Sequence, residues 1–174
     1  MENQKELCTD GLEEYPKRTV VFGNLVMVFW FALGAAACWF FYPWLGVAYL
    51  VIAVLLVYVV LRKLVCVNCY YYGKWCGLGW GKLCSVLFRK GDIKDFPKSP
   101  GLKLAPATYG MLMIVPLVLL VVSIFQGFSW YKILVLILLV LVSFYSGSIS
   151  RKHSCSQCKM KTICPGSAIK KNSS

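Results

Sequence analysis

Four stretches of this chain approach the roughly 20 apolar residues that carry a helix across a bilayer. They are Thr19–Phe41, Trp44–Leu61, Ala105–Phe125 and Ser129–Ser146. None contains Asp, Glu or Arg, and their one Lys, Lys132, lies at an end where its ammonium can snorkel to water. Helices buried in a large soluble core would need polar faces that these runs lack. With 59% hydrophobic residues and a mean hydropathy of +0.66, the chain is too apolar for an ordinary soluble domain. The expected fold class is all-α integral membrane: four transmembrane helices as two hairpins, with a small cytoplasmic Cys-rich metal module.

The runs divide the sequence into a polar, mobile lead (1–18), a first hairpin (19–61), a Cys-rich loop with an interfacial segment (62–104), a second hairpin (105–147) and a Cys-rich tail (148–174). The lead carries five acids against three basic residues, and the first run is longer than a signal-peptide core, so the first helix is expected to stay. Even-numbered crossings put lead, loop and tail on one side. Those segments hold three basic residues (Lys5, Lys17, Arg18), nine from Arg62 to Lys103, and six from Arg151 to Lys171; Lys132 alone lies opposite. Positive charge stays inside, so both termini are expected in the cytoplasm, at the plasma membrane. The formal net charge of +12 then calls for the lipid bilayer and its anionic headgroups as partners, with no nucleic acid, since no nucleic-acid-binding motif accompanies it.

Within the helices, Gly34-Ala35-Ala36-Ala37-Cys38 places small residues where helix backbones can approach closely, with Cys38 filling a packing notch. Asn24 can bond across helices, Phe41-Tyr42-Pro43-Trp44 makes an outer turn of interface-seeking rings, and Pro116 kinks the third helix, its freed carbonyl satisfied by a neighbour. Trp80, Leu83 or Cys84, and Leu87 recur at helical spacing, which predicts a short helix lying in the interface.

The chemistry-bearing residues are cysteines. Cys66, Cys69, Cys76 and Cys84 follow the second apolar run; Cys155, Cys158 and Cys164 follow the fourth, next to the only histidine, His153. Each block begins C-x2-C and adds a third Cys after six or five intervening residues, so each hairpin ends in the same kind of motif. The hairpins enter and leave in the same direction, as parallel repeats about an axis along the membrane normal would. Clustered thiols in a reducing cytosol serve metals or redox chemistry more often than disulfides. A two-residue gap lets both sulfurs turn toward one ion, and soluble pieces this short need a staple to fold.

Seven cysteines and His153 match two four-coordinate sites. Either the two C-x2-C pairs share one ion and Cys76, Cys84, Cys164 and His153 form a second site, or each block closes on itself. Zinc is the favoured cofactor and an iron–sulfur cluster the alternative; Cys164-Pro165 has the Cys-Pro ending of ferredoxin runs but lacks their spacing. Cys8, with no nearby partner, reads as an ordinary free thiol.

Other chemistries lack their parts. Tyr70 and Lys159 follow the C-x2-C pairs, so there is no haem-attachment motif. No helix interior carries the carboxylate of an ion-coupled transporter, and no nucleophile elbow supports a hydrolase. Gly77, Gly79 and Gly81 lack nucleotide-loop spacing. The leading expectation is a non-enzymatic binding or scaffold module, with a protein partner at the cytoplasmic face. Membrane redox chemistry through a cluster or dithiols, and soft-metal handling, are its rivals.

Overall fold

The computed structural model describes residues 7–169. Residues 1–6 and 170–174, with Lys5, Lys170 and Lys171 of the charge count, lie outside them. Four helices are long and apolar enough to span a membrane: α1 (Lys17–Trp39), α2 (Pro43–Asn68), α4 (Pro100–Gln126) and α5 (Trp130–Ser156). The short α3 (Trp80–Leu87) lies in the loop between the hairpins. Among the described residues there are no strands, only one isolated bridge, Leu12 to Cys158. This is the architecture of a multi-pass membrane protein.

The apolar runs underestimate three helices, α4 beginning at Pro100 rather than Ala105. α2 was expected to stop at Leu61 and α5 at Ser146; both continue through polar sequence to Asn68 and Ser156. Apolar content marks what lipid tolerates, whereas the helix persists as long as its backbone ladder is unbroken. Arg62 and Lys63 near the end of α2 also complement the negative end of its dipole. Both helices pass through a wider, π-helical segment, Leu55–Val60 and Tyr145–Ser150, within two turns of the first Cys of each C-x2-C pair. Cys66 and Cys155 therefore sit in the last turn of equivalent helices.

α1 packs against α2, α4 and α5. The core is Trp30, Phe31, Leu33 and Cys38 of α1, Tyr49, Ala53 and Val57 of α2, Leu112 of α4 and Leu139 of α5. Small residues do what their spacing predicts: a Cβ on Gly34 would overlap the Tyr49 ring, and one on Gly46 would lie 2.8 Å from the Ala35 carbonyl oxygen. Pro116 has no N–H for the Leu112 carbonyl, and the Tyr49 hydroxyl donates to that same oxygen at 2.8 Å. Across the bundle, the Trp30 indole N–H donates to Ser143 Oγ at 2.8 Å. Lys132 Nζ turns back onto the Ser123 and Gly127 carbonyls at the end of α4 (2.7 and 2.8 Å), capping it. The outer faces stay apolar: only 6% of the most apolar part of α5 is buried, and Val21, Phe22, Leu25, Ile114 and Ile137 are exposed. Lipid is the solvent such faces suit.

The lead is not loose where the structure describes it. The Cys8 N–H donates to the Lys159 carbonyl (3.0 Å), Leu12 N–H to Gln157 (2.9 Å) and Tyr15 N–H to Trp75 (2.9 Å). Glu13 pairs with Lys159 and with Lys74. Residues 8–15 thus form a strap across the loop and the tail. Their polarity suggested mobility, but backbone pairing does not depend on side-chain polarity.

Candidate functional site

The loop after α2 closes through a few local constraints. Gly73 and Gly79 adopt left-handed conformations (φ 78° and 70°). The Gly73 N–H donates to the Gly81 carbonyl at 2.9 Å, and a Cβ on Gly81 would lie 1.8 Å from the Tyr71 carbonyl oxygen. α3 consequently presses its Gly81–Cys84 face inward and leaves Leu83, Val86 and Leu87 exposed. Asn24, expected to bond between helices, instead holds this loop to α1, its Nδ2 donating to the Leu78 carbonyl at 2.9 Å and the Val20 carbonyl at 2.7 Å.

Seven of the eight expected ligands gather at this end of the bundle. Cys69, Cys76 and Cys84 each lie within electrostatic reach of Cys66, and Cys76 within reach of Cys69 and Cys84. Cys69 also feels Cys158 and Cys164, and Cys158 feels Cys155 and Cys164. His153 is exposed on the last turn of α5, where its carbonyl accepts from the Ser156 hydroxyl at 2.7 Å. Among the described residues no three His, Cys, Asp or Glu side chains are drawn into a closed cage as placed. The thiols share a neighbourhood that side-chain rotation would have to tighten. Cys38 is buried in the bundle core, apart from that neighbourhood.

Two residues that motif spacing passes over join the blocks. Met160, 1% exposed, puts its Sδ 3.4 Å from Cys69 Sγ and 3.1 Å from the Tyr70 N. Tyr71 is buried against Tyr15 and Tyr70, and its hydroxyl donates to the Leu12 carbonyl (2.7 Å) while accepting from the Lys159 N–H (3.1 Å). One tyrosine thereby ties strap, loop and tail. The only hint in the sequence was that Tyr70-Tyr71-Tyr72 is too apolar for a free loop.

Arg62 was expected among the basic flanks that meet headgroups. It is instead 1% exposed, with its guanidinium carbon 4.1 Å from the Tyr58 ring centre and 4.7 Å from that of Trp80. Its Nε and Nη1 have no hydrogen-bond partner, nor does the Trp80 indole nitrogen. Cation–π contacts of this kind contribute about 2 kcal/mol each when desolvated. An unpaired buried charge costs several kcal/mol, so the rings alone leave Arg62 short of compensation.

Burial pushes the Cys69 thiol up to about 12 and raises Cys84, Cys158 and Cys164 as well. Thiols in that state are neutral and weakly nucleophilic at physiological pH, unlike the activated pair of a dithiol exchanger. A cation that displaces the proton changes this, because coordination deprotonates a thiol outright. The donor set is thiol and thioether sulfur without a carboxylate, which suits zinc, iron–sulfur clusters or Cu(I) rather than hard cations. Burial likewise raises Tyr15 and Tyr71, keeping both hydroxyls protonated as donors. No protein-family model, curated protein or solved structure matches this chain.

Proposed function

We propose that this is a multi-pass plasma-membrane protein, with its termini and cysteine blocks on the cytoplasmic side, in which a thiophilic metal centre fastens the two hairpins into a scaffold. The observation that carries this reading is the meeting of the blocks: Cys69 Sγ of the first lies 3.4 Å from Met160 Sδ in the second. Tyr71 holds the same junction from the side. The concentration of basic residues at this end supports the orientation, and the exposed Leu83, Val86 and Leu87, with Lys82, Arg89 and Lys90 beside them, suit the inner-leaflet interface.

Cys66, Cys69, Cys76, Cys84, Cys155, Cys158 and Cys164 are the residues that would hold the metal. A bound zinc ion would supply folding free energy to segments too short to fold alone. The chain's own part is to bring thiols from two hairpins together under buried aromatic cover and to present the surface around them to a protein partner.

The test is anaerobic purification of the full chain in detergent, followed by elemental analysis and a visible spectrum. Zinc in stoichiometric amount in colourless protein, lowered by Cys66→Ser and Cys158→Ser but not by Cys38→Ser, supports the reading. Brown protein that bleaches on reduction replaces the scaffold with membrane electron transfer. Protein free of metal in all forms overturns both.

A further inference from the structure

A buried guanidinium whose Nε and Nη1 lack an acceptor points to a negative charge missing from its surroundings. We infer that Arg62 is the counter-charge of an anionic four-thiolate centre held by Cys66, Cys69, Cys76 and Cys84 alone. This rests on the metal reading above and deepens it. It makes the first block a complete centre with the tail docked against it, so that any metal lost in Cys158→Ser belongs to a separate site in the tail.

Three of the four thiols are arranged around Arg62 by local geometry. Cys66 follows it by four residues on α2 and so shares its face. Trp80, stacked on the guanidinium, donates its backbone N–H to Cys76 Sγ at 3.1 Å, a bond that favours the thiolate form. Cys84 lies four residues after Trp80 on α3, and its Sγ is 3.8 Å from the Arg62 carbonyl oxygen. Cys69 lies within electrostatic reach of Cys66 and Cys76.

The ionisable groups that act most strongly on Arg62 are Cys66, Tyr58, Cys76 and Cys84; Tyr109 also feels its charge, and none of these five is a carboxylate. Among the described residues both ion pairs use Glu13, on Lys74 and Lys159. Arginine stays charged when buried, and an ionisable residue at a membrane helix end is held there by a partner. Neutral thiols offer no charge; four thiolates around a divalent thiophilic cation carry two negative charges. The ligand class is therefore a divalent, thiophilic cation, with zinc the physiological fit. Arg62 acts as a positioning residue through the charge it balances, and Met160 marks where the tail docks.

Cobalt(II) is the probe, added anaerobically to chelator-stripped full-length protein in detergent. Wild-type protein is expected to show the intense sulfur-to-cobalt charge-transfer band and the visible bands of a tetrahedral thiolate site. Arg62→Met should weaken cobalt and zinc binding in chelator competition by about 10–100-fold, the usual effect of removing a partner of the ligands, with the band positions shifted. Arg62→Lys should restore most of the affinity. Arg62→Met binding as tightly as wild type overturns the inference while leaving the metal reading intact; wild-type protein that binds neither metal overturns that reading itself. If Arg62→Met does not fold, Cys84→Ser against Cys164→Ser decides. Loss of the cobalt spectrum in Cys84→Ser alone supports the one-block centre, and equal loss in both overturns it.

Discussion

Replacing Tyr71 by Phe removes one oxygen atom from the point where strap, loop and tail meet. The ring contacts with Tyr15 and Tyr70, with centres 5.7 and 5.3 Å away, survive. Two hydrogen bonds do not: the 2.7 Å bond to the Leu12 carbonyl and the 3.1 Å bond from the Lys159 N–H. Each such bond contributes about 1 kcal/mol net, more where its partner is left dry. Leu12 is an exposed residue, so about 2 kcal/mol in all is the expected loss. At 1.4 kcal/mol per factor of ten, the strap and tail then open about 30-fold more often. Hydrogen exchange read by mass spectrometry on the protein in detergent measures this directly. Peptides covering Leu12 and Lys159 should lose protection together, with α1 and α4 unchanged. Tyr72→Phe is the control, since its hydroxyl serves the Phe88 carbonyl within the loop (2.6 Å) and touches neither strap nor tail. Unchanged exchange at both segments in Tyr71→Phe would refute the view that this residue holds the junction.

Two further outcomes follow from individual contacts. Lys159, then Tyr70, with Lys74 adding to them, hold the Glu13 carboxyl down to about 2 from an ordinary 4.5. Its folded-state value is depressed, so its stabilising contribution is present above about 4.5 and disappears as pH falls toward 2. Thermal midpoints of wild type and Glu13→Gln should differ at neutral pH and converge across that window, with added salt shrinking the gap because the pair is exposed; a gap independent of pH would count against the strap's ion pairs. Tyr49→Phe should lower stability by about 0.6–1.7 kcal/mol, as for other hydrogen bonds between membrane helices. Its effect should shrink in a Pro116→Ala background, where residue 116 regains an N–H for the Leu112 carbonyl; full additivity in that double-mutant cycle would contradict the assignment.

The helical class, the two hairpins and the position of each cysteine block at the end of a helix were all legible in the sequence. Apolar run length is a local property, and lipid imposes it wherever the chain folds. Pro116 belongs with these: a missing N–H necessarily frees a carbonyl, although the sequence did not name Tyr49 as its donor. Helix ends were less legible. Hydropathy falls at Arg62 and at Tyr145, but the backbone ladder runs on to Asn68 and Ser156 and carries Cys66 and Cys155 in its last turns.

The neighbours within the site could not be read in advance. Met160 stands between two lysines outside every motif, Arg62 read as a cation bound for headgroups, and residues 8–15 as a polar lead. Each is defined by a partner far along the chain: Cys69 for Met160, Trp80 for Arg62, Gln157 and Lys159 for the strap. The sequence by itself determined which segments prefer lipid and which residues offer sulfur, because hydrophobicity and ligand chemistry belong to single residues. Only the tertiary structure decided which sulfurs are neighbours and which charge is buried beside them. Proximity arises when distant segments close on one another, and no local pattern encodes that closure.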